Sequence, residues 1–312
     1  MMSDSAKTPS DAGVPTGVIV PLITPIDEND GVDDEAFRKL IRRCLDAGVH
    51  GVFVGGSAGM GPLLLDDQWQ RAMEIAREEV DGPQILMGGV IATSTRRAIE
   101  QIRLLEQIRF ETMVVTPTFY ITLEDEAEML SHFGSCRDAT DMEMVVYNIP
   151  SCTGSSIPLA TIEDVTRRRW TRSFKESSGD RAYFSRVLDI GNRYGAKVLQ
   201  GHEPDVEWGL SIGAAGIVPV CANYEPETYV SAWLAAKKSD QELLRRIQQR
   251  ISGIRDVLLM GEKNWISGIM YGMSSLGIGS GTPMEPLQAL GEEDRRLIDA
   301  LETIDVNRLR RE

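Results

Sequence analysis

One lysine lies in a segment that is predicted to be a buried strand, where a charged side chain is unusual. Lys175 lies within the short segment Ser173–Ser177 (SFKES), which has the length of a single strand. Burying an ammonium group without a partner is costly, and burial lowers the amine pKa until the neutral form can attack a carbonyl. Lys175 is therefore a candidate nucleophile. The alternative is a surface-reaching lysine whose amine pairs with Glu176 or Asp180.

Further candidates follow other apolar runs. Tyr147 ends one of them, and a phenol there can relay protons to a carbonyl oxygen, although a core tyrosine is the alternative. The turn Gly55–Gly61 (GGSAGMG) has glycines that let backbone amides point at a ligand, and Ser57 adds a hydroxyl. A flexible loop is the alternative there. His202 follows a third run, where it would line the same mouth.

Nothing in the sequence has the spacing of a metal centre. The three histidines, His50, His132 and His202, lie in separate segments, and no H-x-x-x-H or Walker A pattern occurs. We expect neither a metal nor an organic cofactor. His50 is predicted to start a strand and His132 to lie on a helix surface. The glycines of 213–216 resemble a phosphate loop, but close helix–strand packing is the simpler interpretation.

Eight short apolar runs without polar alternation are typical of parallel strands that are buried on both faces. Amphipathic helical patterns separate them, which favours a (β/α)8 barrel, an α/β fold known as the TIM barrel, over an open doubly wound sheet. An open sheet would usually carry G-x-G-x-x-G after its first strand, and none is present. The predicted strands are Gly17–Ile23, His50–Gly55, Gln84–Val90, Thr112–Thr116, Met144–Asn148, Ser173–Ser177, Lys197–Gly201 and Gly216–Val220.

Three regions are predicted along the chain: a disordered N-terminal lead over residues 1–16, the barrel over 17–238 and a C-terminal helical region over 239–312. The lead is polar and small, without the apolar core of a signal peptide. Asp66, Ser94 and Asp180 are predicted N-caps of barrel helices. Two of the helices after the barrel are expected over Gln241–Leu259 and Glu292–Ile304.

The amino-acid composition limits the classes of molecule that the protein can bind. The net charge is −14 at pH 7, so a nucleic acid backbone or an anionic membrane would be repelled. No apolar run reaches the roughly 18–20 residues of a membrane helix. The four cysteines are widely spaced and indicate reduced thiols, and we expect a cytoplasmic protein.

Five segments, in this order, resemble the dihydrodipicolinate synthase and N-acetylneuraminate lyase family. They are GGSAGMG, TPTFY, YNIPSCTG, FKESSGD and GAAGI, and the resemblance runs from about Gly17 to Leu301. It implies a class I aldolase mechanism on a small 2-oxo acid such as pyruvate. By match to these motifs, Lys175 would form the Schiff base and Tyr147 would relay protons. Ser57 and the backbone of Ala58 would hold the substrate carboxylate.

The segments also depart from the family pattern. Ala58 replaces a second hydroxyl residue, Met60 replaces a common glutamate, and Phe119 replaces a tyrosine that completes a relay across the subunit interface, which the adjacent Tyr120 would have to supply. Cys152 replaces the arginine that holds the second substrate of the lysine-biosynthetic synthases. The predicted substrate-binding residues are Gly56, Ser57, Ala58, Phe119, Tyr120, Cys152, Ser177 and His202.

These departures argue against an authentic dihydrodipicolinate synthase and favour another Schiff-base lyase: an aldolase, dehydratase or synthase acting on pyruvate or a related 2-oxo acid. Two alternatives stay open. One is a catalytically degenerate barrel that binds 2-oxo acids, and the other is a barrel enzyme with a phosphate site near strands seven and eight. The resemblance also implies a homotetramer built as a dimer of dimers.

Overall fold

A computed structural model describes residues 13–123, 125–259 and 265–303. Eight parallel strands close into a barrel in which each strand pairs with the next and β1 pairs with β8. This confirms the predicted (β/α)8 fold. The strands are Gly17–Pro21 (β1), Gly51–Val54 (β2), Ile85–Val90 (β3), Thr112–Val115 (β4), Glu143–Asn148 (β5), Ser173–Glu176 (β6), Lys197–Gln200 (β7) and Gly216–Ile217 (β8).

Burial on both faces explains why the strands are continuous apolar runs. Inward side chains such as Ile19, Phe53 and Val145 fill the barrel interior, and outward side chains pack under the helices. The register pairs Tyr147 of β5 directly with Lys175 of β6. Two residues that face each other on neighbouring strands point to the same side of the sheet, so both side chains project into the barrel.

Helices follow the strands at the predicted places, and the N-caps Ser94 and Asp180 are confirmed by side-chain bonds to backbone amides. Asp66 is wrong as a cap. It is the first helical residue, and the amide of Leu65 before it donates to Gln68 at 2.9 Å. The helices are Asp34–Asp46 (α1), Asp66–Glu79 (α2), Thr95–Ile108 (α3), Glu126–Asp138 (α4), Pro150–Thr153 (α5), Leu159–Arg167 (α6), Arg181–Tyr194 (α7), Val206–Ser211 (α8), Pro226–Lys237 (α9), Gln241–Leu258 (α10), Trp265–Ser275 (α11) and Glu292–Asp299 (α12).

Helix α10 reaches the carboxyl end of the barrel. Its Gln248 accepts the amide of Glu207 at 2.8 Å and donates to the carbonyl of Glu203 at 3.2 Å. The helix therefore holds the loop that follows β7, where site residues are expected. The division of the chain into a barrel over 17–238 and a helical region over 239–312 stays a prediction. The two parts are in close contact, since α10 packs on α9.

The disordered lead predicted for residues 1–16 is wrong for its last four residues. Val14 is buried, and the carbonyl of Gly13 accepts the hydroxyl of Thr112 at 2.8 Å, so these residues pack against the barrel. Residues 1–12 lie outside the described part of the chain. Within the described ranges, no helix has both the length and the apolar character needed to cross a membrane.

Candidate active site

Lys175 lies inside the barrel. Its side chain is buried, and its Nζ stands 4.0 Å from the ring centroid of Tyr147 and 4.8 Å from that of Phe53. The alternative of an amine paired with Glu176 or Asp180 is wrong. Glu176 accepts Asn148 Nδ2 at 3.0 Å and the Ser178 amide at 2.8 Å, and Asp180 caps α7.

This setting changes the protonation of the amine. Burial lowers the pKa of Lys175 from 10.5 to about 7, and the nearby Cys152 opposes the effect only in part. Aromatic faces attract a cation, but they replace far less than the hydration that burial removes. The neutral form of the Lys175 amine, which attacks a carbonyl, is therefore far more populated near pH 7 than it is for an exposed lysine.

The phenol of Tyr147 can act as a proton donor beside the Lys175 amine. Burial raises the pKa of its phenol above the ordinary value, and the hydroxyls of Ser177 and Ser57 oppose this effect. The phenol therefore stays protonated near neutrality and can donate to a carbonyl oxygen. The Oγ of Ser177 is buried beside this phenol and lines the same cavity, so it too can bond a ligand.

The turn after β2 forms a seat for an anion. Among the described residues, the amides of Ser57 and Ala58 donate no hydrogen bond, and both residues line the cavity above Lys175. The turn is close-packed: a Cβ on Gly61 would lie 2.0 Å from the carbonyl oxygen of Gly55. Glycine is required there, so this turn is a built feature rather than a flexible loop.

One cavity of about 500 Å³ connects these groups. Of the predicted site residues, it brings together the following: Ser57, Ala58, Tyr147, Cys152, Lys175, Ser177 and His202. Gly56, Phe119 and Tyr120 do not line it. Gly56 lies against the ring of Phe53, where a Cβ would come within 2.6 Å of Cε1, and it serves the shape of the turn.

Phe119 and Tyr120 lie on the loop between β4 and α4. Phe119 is half-buried, and Tyr120 is 89% exposed with a φ of 76°. Ile121 beside it is also exposed. Within one chain these side chains do not line the cavity, so any part they play in binding requires a second subunit or a movement of the loop.

Several residues that line the cavity were not predicted from the sequence. Arg255, Leu259 and Trp265 come from the region after the barrel and close one side of the cavity. Their contact with the site spans long stretches of chain and leaves no local pattern. Asp205 is different, because it stands three residues after His202 and its side chain bonds the imidazole at 2.8 Å. The i, i+3 spacing of a histidine and an aspartate after a strand could have predicted this pair from the sequence.

The other histidines lie elsewhere. His50 was predicted to start a strand and lies one residue before β2, where its Nδ1 accepts the amide of Val18. His132 is not on a helix surface: it is buried on α4 between Thr95 and the carbonyl of Thr116, each 3.0 Å away. These two hydrogen bonds offset the free-energy cost of burying the polar imidazole ring. Within the described ranges, no three His, Cys, Asp or Glu side chains are grouped as metal ligands.

Gly213 precedes β8, and Gly216 is the first residue of that strand. A Cβ on Gly216 would come within 2.3 Å of the carbonyl oxygen of Gly17. Close packing between β1 and β8 therefore explains Gly216, and these glycines do not belong to the cavity around Lys175.

Comparison with known proteins agrees with this geometry. A model of the Dihydrodipicolinate synthetase family matches residues 14–303. The chain belongs to this family.

Members of the family and related structures align with nearly the whole chain. An uncharacterised DapA-like lyase from Pyrococcus abyssi is 30% identical over 276 residues, covering 87% of this chain and 90% of the relative. A 4-hydroxy-tetrahydrodipicolinate synthase from Exiguobacterium is 28% identical over 289 residues, covering 92% and 97%. The structure of dihydrodipicolinate synthase from Bacteroides thetaiotaomicron is similar with a TM-score of 0.86 and 25% identity, covering 91% and 96%.

Proposed function

We propose that this member of the dihydrodipicolinate synthetase family is a lyase that binds pyruvate or a related 2-oxo acid as a Schiff base on Lys175. The observation that carries the proposal is the buried Lys175 amine, 4.0 Å from the ring centroid of Tyr147 and with its pKa lowered to about 7. A buried lysine without a carboxylate partner is unfavourable for stability, and a nucleophile explains its presence.

Each step of imine formation has a group in place. The neutral amine of Lys175 attacks the C2 carbonyl, and one of its hydrogens passes to the oxygen to give a carbinolamine. The Tyr147 phenol supplies the second proton with which the oxygen leaves as water, so a protonated imine and a phenolate remain. The substrate carboxylate binds the amides of Ser57 and Ala58 together with the Ser57 hydroxyl. The protonated imine then accepts the electron pair of a bond to C3, so that a C–C or C–H bond breaks and an enamine forms.

The second substrate or leaving group differs from that of the lysine-biosynthetic enzymes. Cys152 places a thiol in the cavity at the position where those synthases use arginine, and Ala58 supplies no hydroxyl. A lost hydrogen bond to a charged group costs about 1.5–3 kcal/mol. We infer an aldolase, dehydratase or synthase other than authentic dihydrodipicolinate synthase.

We also propose that the protein is a cytoplasmic homotetramer. The exposed Tyr120 and Ile121, which lie beside the mouth-side loops of the barrel, support an interface there. Sedimentation equilibrium tests this directly: we expect the mass of four chains, and a single-chain mass at micromolar concentration would overturn it.

Borohydride trapping tests the chemistry. We expect that reduction in the presence of pyruvate adds one reduced pyruvate to the wild type and to Lys197→Ala, but none to Lys175→Ala. Lys197 is the matched control because it is an exposed lysine on the adjacent strand β7. Thermal stabilisation by pyruvate without any adduct would instead favour the alternative, a catalytically degenerate binding barrel.

A further inference from the structure

A histidine that lines the same cavity is paired with a carboxylate behind it. His202 follows β7 and lines the cavity with its side chain about one-third exposed, and its Nδ1 lies 2.8 Å from Asp205 Oδ2. The backbone is fixed as well, because the His202 amide donates to Gln200 Oε1 at 2.9 Å. The imidazole is therefore held at both its ring and its main chain.

Asp205 is itself held in place. Its side chain is 7% exposed, and its Oδ1 accepts Arg181 Nε at 2.7 Å and Nη2 at 2.6 Å. A carboxylate that is fixed against Nδ1 selects the imidazole tautomer with its hydrogen on Nδ1. The lone pair then lies on Nε2, which is the arrangement of a general base.

Two glycines bring this imidazole near the imine. A Cβ on Gly201 would lie 3.2 Å from Lys175 Cε, so the backbone just before His202 touches the reactive lysine. A Cβ on Gly179 would lie 3.2 Å from His202 Nε2. Because both positions are glycine, neither places a side chain against Lys175 Cε or His202 Nε2, and Lys175 and His202 line the same cavity.

We infer that His202 is the general acid–base group for the oxygen of the substrate portion that is distal to the imine, and that Asp205 is its positioning residue. The inference rests on the proposed function. In cleavage, Nε2 takes the proton of the C4 hydroxyl and the C3–C4 bond breaks. Its electron pair forms the C2=C3 bond of an enamine, the imine nitrogen regains its lone pair, and an aldehyde leaves. Condensation is the reverse: His202 returns that proton to the aldehyde oxygen as the new bond forms.

The test separates the two half-reactions. Formation of the enamine is measured as deuterium exchange into the pyruvate methyl group, and bond formation as condensation of pyruvate with glyoxylate, glyceraldehyde or succinate semialdehyde. We expect His202→Asn and Asp205→Asn to retain the pyruvate adduct and the exchange, and to lose condensation by about 100-fold or more. Asp164→Asn, a carboxylate that also accepts from arginines but lies on the outer helix α6, is the control and should retain both.

Two further readouts identify proton transfer as the role. Imidazole added to His202→Ala should restore part of the condensation rate, which it cannot do for a merely structural defect. Nitrogen-15 spectra of the wild type should show the hydrogen on Nδ1 of His202, assigned by its loss in His202→Asn. Unchanged condensation in His202→Asn, a hydrogen on Nε2, or a wild type that exchanges pyruvate protons but condenses none of the aldehydes would overturn the inference. Absence of any adduct in the wild type would overturn the proposed function itself.

Discussion

Replacing Lys175 by methionine should stabilise the protein most where the amine is charged. Burial lowers the pKa of Lys175 from 10.5 to about 7. Each pKa unit corresponds to about 1.4 kcal/mol, so the charged amine destabilises the folded state by about 5 kcal/mol. Methionine has a similar length and no charge, and it fits the apolar contacts with the rings of Tyr147 and Phe53.

The pH dependence has a definite sign. Between pH 7 and about 10.5 the unfolded chain holds a proton on Lys175 that the folded chain has released, so the stability of the wild type rises with pH in this window. This contribution is present in full above the unfolded pKa and is lost as the pH falls through 7. The advantage of Lys175→Met over the wild type should therefore be largest below pH 7 and shrink towards pH 10.

Urea unfolding at a fixed protein concentration measures this difference. The free energy of unfolding is compared for the wild type, Lys175→Met and Lys197→Met at several values between about pH 6 and pH 10. Lys197 is exposed on β7, so its variant should follow the wild type at every pH. A stability difference between Lys175→Met and the wild type that is independent of pH would refute the claim that burial lowers the pKa of this amine.

Three other variants test the geometry around the amine. Tyr147→Phe should lower the rate of adduct formation by about 10²–10⁴-fold in stopped borohydride reactions, because the phenol proton is lost; an unchanged rate would remove Tyr147 from the mechanism. Gly201→Ala places a Cβ 2.0 Å from Ser177 Oγ and 3.2 Å from Lys175 Cε, so we expect a loss of about 1–3 kcal/mol in urea unfolding and slower trapping. Gly253→Ala, on α10 with open space around it, should instead gain up to about 1 kcal/mol, and equal effects at the two glycines would contradict the packing described.

The fold was predictable because its signals are local. Apolar runs marked all eight strands, and side-chain caps such as Ser94 and Asp180 marked where helices begin. Asp66 failed as a cap because the acidic residues at that place lie inside the first turn, where they face the positive end of the helix. His132 was misplaced because its partners, Thr95 and the Thr116 carbonyl, come from other elements.

The site was predictable only in part, for the same reason. Lys175 and Tyr147 are adjacent because parallel strands in register bring their carboxyl ends together, which the motifs already implied. The side of the cavity formed by Arg255 and Trp265 depends on how the last helices fold back over the barrel mouth, and no local pattern records that. Tyr120 is exposed and does not line the cavity of a single chain, and the sequence could not predict that.

A crystal structure of the protein soaked with pyruvate tests the central chemistry most directly. We expect continuous electron density between Lys175 Nζ and C2 of pyruvate, with the carboxylate on the amides of Ser57 and Ala58 and C2 beside the Tyr147 hydroxyl. Pyruvate bound elsewhere, or bound in this cavity with the Lys175 amine unmodified, would contradict Schiff-base chemistry in this protein.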